Sequence, residues 1–193
     1  MGFPIEKHQH AIQVATDLFW REGYEGVSVD DVVKASGLNR YALYQNFGGK
    51  KGLFLAVLEA YCDNGKRVTM ELLADPTLAA FDALQRSLEI RVDDEMFRSG
   101  CLMTTTGVEL AAKDPEVAEQ VQLYVSEIKG LLQAALSRAR AEGDLSPEAD
   151  PAGVAEIVFN ILVGSAVQAR MGVSRQVLRS NVNTAFSALR YKS

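Results

Sequence analysis

The chain has 193 residues, 48% of them hydrophobic, enough for one large domain or a small domain joined to a larger one. Its formal net charge is −5 and its pI near 5.1, so the chain as a whole is no basic nucleic-acid-binding protein. Five prolines among abundant Ala and Leu favour helix.

No run approaches ~18 consecutive apolar residues, so no membrane span is expected. The opening MGFPIEKHQH lacks the apolar core of a secretory signal, and Glu6 stands where the myristoylation pattern needs Ser or Thr. Cys62 and Cys101 are too few for a disulfide framework, and a reducing, cytoplasmic setting is expected.

Helical periodicity runs through nearly every segment. Ala11, Ile12, Ala15, Leu18 and Phe19 form the apolar face of a first helix over 5–22, with Gly23 and Gly26 marking its end and the next turn. Ser28 caps a short second helix, with Asp31 at its third position and Val29, Val32 and Val33 on its buried face. Ser36-Gly37 stops it, and Asn39 caps a third helix of about two turns over 39–46. A longer helix is expected over 50–73, ended by Asp75-Pro76.

The remainder reads as a second all-helical unit. Thr77 opens a helix to about Asp94, and the stretch 99–114, with its three consecutive threonines, contains another. Asp114-Pro115 is a cap followed by Pro at the first helical position, and a long amphipathic helix follows. After the loop 143–151, Asp150-Pro151 repeats that signal for a helix over 152–171, and Ser174 caps the last helix to about Tyr191. The expectation is an all-α chain of about nine helices, with a head over 1–50 and a body over 51–193.

One window departs from the acidic average. From Val32 to Leu58 there is no Asp or Glu, while Lys34, Arg40, Lys50 and Lys51 all fall there. Two short helices joined by a Gly-centred turn describe a helix-turn-helix. Leu38, Leu43 and Phe47 anchor the pair on the first helix, which leaves Arg40, Tyr41, Tyr44, Gln45 and Asn46 to face outwards. Arg can fork onto guanine, Gln and Asn can pair with adenine, and Tyr can reach phosphate or a thymine methyl. Lys50 opens the next helix, where backbone N–H groups also favour phosphate. A carboxylate in this window would repel the DNA backbone. The patch is local, since the first 60 residues carry six basic and seven acidic side chains. The same pattern also describes a merely solvated helix face.

The spacing Ile12, Ala15, Leu18-Phe19, Gly23-Tyr24, Ser28-Val29, Val32, Ser36-Gly37-Leu38, Leu43-Tyr44, Phe47, Lys50 and Leu53-Phe54 resembles the N-terminal domain of the TetR family of transcriptional regulators. Gly100-Cys101-Leu102, Glu109-Leu110-Ala111 and Asp114-Pro115-Glu116-Val117 resemble the body of one branch of that family. The resemblance implies a homodimer with a DNA-binding head, contacting a double-stranded operator through Ser28, Asn39, Arg40, Tyr41, Tyr44, Gln45, Asn46 and Lys50. It also implies a helical body that binds a small effector, with no cofactor. Tyr41, Ala42 and Val27 depart from the commonest family residues, so the operator sequence cannot be carried over.

The resemblance assigns the last two helices to the dimer interface. Val154, Ile157, Val158, Ile161 and Leu162 supply an apolar face, while Gly164, Ser165 and Ala166 permit close helix approach. Val182 and Phe186 add apolar surface on the final helix. An effector pocket is expected among Met70, Phe81, Leu84, Leu88, Phe97, Cys101, Thr104, Thr105, Tyr124, Ile128 and Phe159, although an apolar stripe at helical spacing also describes plain core. Rival readings are a helical protein-binding adaptor and a thiol sensor acting through Cys101. An enzyme is not expected, because the only histidines are His8 and His10 and the metalloprotease, nucleophile-elbow, P-loop and dinucleotide motifs are absent.

Overall fold

The computed structural model describes residues 5–191, and every described element is helical. In chain order these are α1 Ile5–Gly26, α2 Val29–Ser36, α3 Arg40–Phe47, α4 Lys50–Ala74, α5 Ala80–Asp93, a 3-10 turn Glu95–Ser99, α6 Leu102–Leu110, α7 Pro115–Glu142, α8 Pro151–Arg170 and α9 Arg175–Leu189. They form two compact units. One holds the residues up to Asn64 with Leu102–Val121; the other holds Gly65–Cys101 with the chain from Gln122 onward.

In the first unit α1, α2 and α3 pack as the sequence pattern expects. Ala11, Ala15, Phe19, Val27, Val32 and Leu43 are buried, and Leu38 is nearly so. Phe47 stacks on His8 of α1 at 4.5 Å between ring centroids. The unit extends beyond residue 50, because Leu53, Phe54, Val57 and Leu58 of α4 are also buried, and Phe54 meets Phe19 edge-on at 4.9 Å. The α2 cap is a reciprocal box: Ser28 Oγ accepts from the Asp31 N–H at 3.1 Å, while the Asp31 carboxylate accepts from the Ser28 N–H at 2.9 Å. The Ser28 hydroxyl also donates to the Asp31 carboxylate at 2.6 Å, and that bond, with the Ser28 N–H second, holds the Asp31 pKa below the ordinary carboxylate value. Gly37 and Gly48 close α2 and α3 in the left-handed conformation, at φ 67° and 73°.

The first helix does not simply stop at Gly23. It bends there, with φ 75° and ψ 172°, and continues one turn to Gly26. The bend frees the Tyr24 and Glu25 N–H groups, and both donate to the Glu109 carboxylate of α6, at 3.2 and 2.8 Å.

The second unit is a helical bundle in which α5 packs on α9 and α8 packs on α9 and the 3-10 turn. Its core runs through Phe81, Leu84 and Leu88 of α5, Ile128, Leu132 and Leu136 of α7, Val158 and Leu162 of α8, and Leu178, Val182 and Phe186 of α9. The α5 start differs from expectation. Thr77 does not open a helix, because its N–H and hydroxyl both donate to the Asp75 carboxylate in a tight turn. The helix begins at Ala80, whose N–H donates to Glu142 of α7 at 2.7 Å. A carboxylate 62 residues away does the work of a local cap. Asp150 caps α8 through the Ala152 and Gly153 N–H groups, with Pro151 at the first helical position, as the sequence signals.

Candidate nucleic-acid interface and effector body

The side chains of α3 divide cleanly. Leu43 is fully buried and seats the helix on the first unit's core. Tyr41 and Tyr44 project from it, 74% and 54% exposed, and Gln45 is exposed beside them. Tyr41 stands mostly clear of the unit, while the Tyr44 ring lies along Gly49, where an added Cβ would meet it at 3.0 Å. Asn39 is spent as a cap, its Oδ1 accepting from the Ala42 N–H at 2.8 Å. Ser28 is likewise engaged in the α2 capping box. Asn46 turns back on its own helix, donating to the Ala42 carbonyl at 2.7 Å, and is only half exposed. Expected to face outwards with the rest, it is partly withdrawn from that surface.

The acid-free window is closed in space by residues from outside it. Arg40 donates to the Asp30 carboxylate of α2 at 2.7 Å, with both side chains largely exposed. Lys51 is held between Asp114 and Glu116 at the start of α7, at 2.8 and 2.9 Å. The Asp114 hydrogen bond is the main reason the Lys51 pKa is raised, and Lys51 lowers that of Asp114 in return. Lys50 has different company: its ammonium lies 4.1 Å above the centre of the Tyr24 ring. A cation held on an aromatic face keeps its full charge for an outside anion.

One position the sequence reasoning passed over fixes α3. A Cβ on Gly52 would stand 1.6 Å from the Phe47 carbonyl oxygen, so α4 starts in direct contact with the end of α3. Its signal was a lone Gly inside an otherwise good helix pattern.

The expected effector residues fall in both units. Thr104 and Thr105 belong to the first and are half-buried. Phe81, Leu84, Leu88, Phe97, Cys101, Tyr124 and Ile128 are buried in the second. Phe81 meets Phe186 edge-on at 5.2 Å. Met70 lies outside this group, 52% exposed. Phe159 is half-buried, with the Lys129 ammonium over its ring. Cys101 immediately precedes α6 and is buried, so a thiol reagent reaches it only if its surroundings open.

The expected interface residues also separate. Ile157 is exposed, while Val154, Ile161 and Gly164 are half-buried, and a Cβ on Gly164 would meet nothing within 4 Å. Ser165, Val182 and Phe186 are buried within the unit. Ser165, Val182 and Phe186 therefore belong to the unit's core rather than to the expected interface: a helix face does not reveal which neighbour covers it, and for α9 that neighbour is α5.

Two short helices joined by a Gly-centred turn and seated on a third, with Tyr41, Tyr44 and Gln45 projecting and Arg40 at the start of α3, describe a helix-turn-helix. Comparison with known families gives the same class. The profile described as "Bacterial regulatory proteins, tetR family" matches residues 11–57, and "Tetracyclin repressor-like, C-terminal domain" matches 78–185. The chain belongs to the TetR family, and it is a DNA-binding transcriptional regulator rather than an enzyme. It is 29% identical over 180 residues to the HTH-type transcriptional repressor ComR of Escherichia coli (strain K12), covering 90% of this chain and 84% of that protein. A cysteine-substituted form of the TetR-family regulator CifR, solved with 26-bp double-strand operator DNA, is 28% identical, with a TM-score of 0.83 over 97% of this chain and 98% of that one. The fold also matches a regulatory protein TetR from Rhodobacter sphaeroides, with a TM-score of 0.87, 24% identity, and 95% and 98% of the two chains covered.

Proposed function

We propose that the chain acts as a homodimeric repressor that leaves a palindromic operator when a small effector enters the second unit. The observation that carries the reading is the outward face of α3. Tyr41, Tyr44 and Gln45 are large, hydrogen-bonding and exposed on a helix that the fully buried Leu43 seats on the core. Arg40 at the helix start and Lys50 at the next helix start supply a base-reading and a phosphate-facing cation.

Dimerisation is supported by apolar surface left open on α8 and α9. Ile157 and Val167 of α8, Met171 just after it and Val177 of α9 are all exposed, and α8 is long and apolar enough to cross a bilayer by composition, with a third of its most apolar stretch buried. A second copy, packing α8 and α9 against their counterparts beside the slim Gly164, covers that surface and sets two heads at a fixed spacing. The effector is read as apolar, since Leu84, Leu88, Phe97 and Ile128 supply the inward surface of the second unit. Binding shifts the population towards a conformer whose heads no longer match the half-sites. The setting is the cytoplasm, where the operator is.

The test is selection of duplexes from a random pool with the purified chain, followed by sedimentation of the complex. An enriched inverted repeat bound by an even number of chains is expected. Enrichment of no sequence overturns the reading.

A further inference from the structure

We propose that Asp30 is a positioning residue for DNA reading: it acts through Arg40, holding the guanidinium in one pose and screening its charge from non-specific phosphate. The inference rests on the reading of α3 as the recognition helix.

Three observations carry it. Arg40 Nη2 lies 2.7 Å from Asp30 Oδ1, so an anchor on the preceding helix biases a long, entropically free side chain towards one pose. The bond occupies one of the five guanidinium N–H donors and leaves the rest for an outside acceptor. The Asp30 backbone is held, since it lies in the first turn of α2, one residue before the Asp31 that closes the capping box.

The consequence follows from charge and geometry. A guanidinium free to swing finds a phosphate oxygen on any sequence, because the backbone is the same everywhere. One tethered at the start of the recognition helix is offered edge-on to the groove, where guanine O6 and N7 accept a pair of bonds. The carboxylate also faces the phosphates, and its repulsion is the same on every duplex. Asp30 therefore weakens binding to all DNA while preserving binding where a guanine meets the tethered fork. The specific contact is kept and the non-specific one is weakened.

The experiment uses the full-length chain as wild type, Asp30→Ala, Asp30→Asn, Arg40→Ala and the double variant Asp30→Ala/Arg40→Ala. Thermal melts first establish that each is folded; Asp30→Asn retains a polar, helix-compatible side chain should Asp30→Ala not fold. Fluorescence anisotropy then measures Kd for the duplex that wild type selects from a random pool and for a scrambled duplex of the same composition. We expect both Asp30 variants to bind the scrambled duplex several-fold more tightly. The ratio of the two Kd values should narrow on the order of tenfold, the scale of one bidentate base contact. In the Arg40→Ala background, removing Asp30 should tighten both duplexes alike and leave the ratio unchanged. A ratio equal to wild type in both Asp30 variants, or one that narrows equally without Arg40, overturns the inference while the DNA-reading account stands. Failure of wild type to select any duplex overturns that account, and the inference with it.

Discussion

The carboxylate of Glu109 occupies the space that a side chain on Gly23 would need. A Cβ there would stand 2.9 Å from Glu109 Oε2, and the same carboxylate accepts both N–H groups released by the bend. The glycine's φ of 75° with ψ 172° lies in a region that other residues scarcely enter. The bend, the absent side chain and the distant acid form one device that sets how α1 runs into α2.

Gly23→Ala should therefore destabilise the chain by ~1–3 kcal/mol, through backbone strain and displacement of the Glu109 carboxylate. Glu109→Gln should lose a similar ~1–3 kcal/mol, because an amide presents only one acceptor to two donors. Urea unfolding checks both. The two losses should be less than additive, since either substitution breaks the same contact.

Lys50 and Lys51 are neighbours in sequence, and only Lys50 is expected to matter for DNA. Lys50 rests on Tyr24, and Lys51 is neutralised by Asp114 and Glu116. Lys50→Gln should weaken selected and scrambled duplexes about equally and reduce the slope of log K against log salt by ~1. Lys51→Gln should leave that slope unchanged. Anisotropy across a salt series separates them.

The Lys51–Asp114 pair also gives a pH dependence. Hydrogen bonding to Lys51, the largest influence, holds the Asp114 pKa below its ordinary value of 3.8. Its stabilising contribution is complete above that ordinary value and is lost as pH falls through the lower folded-state value. Asp114→Asn should accordingly lower the melting temperature near neutrality and flatten its fall between pH ~5 and ~2. Thermal melts across that range are the measurement.

Gly164→Leu separates pairing from folding. Within the chain an added Cβ at Gly164 meets nothing within 4 Å, and Leu is the better helix former by nearly ~1 kcal/mol. The isolated chain should stay folded, with unchanged far-UV circular dichroism. Overpacking at the α8 crossing should cost the dimer ~1–3 kcal/mol or more, and sedimentation velocity should show monomer appearing at higher concentrations than in wild type.

What the sequence made legible was local. Ser28 with Asp31, Asn39 before Arg40, and Asp150-Pro151 announced helix starts because a cap and its N–H partner lie within three residues. What it hid was long-range. Arg40 meets an acid from another helix, Lys51 meets one 63 residues on, and Ala80 is capped by Glu142. The acid-free window is a property of the chain order and not of the surface. Val182 and Phe186 show the same limit for apolar residues: periodicity gives the buried face, and only the fold supplies its partner.

If the exposed face of α3 reads the operator, removing its side chains abolishes the preference for the selected duplex. The direct measurement is the affinity of wild type and a Tyr41→Ala/Tyr44→Ala/Gln45→Ala variant for the selected and scrambled duplexes at one fixed salt concentration. Wild type should prefer the selected duplex by ~10³-fold or more, and the variant, folded and dimeric, should bind both at the scrambled-duplex level. A variant that keeps the wild-type preference would contradict the account.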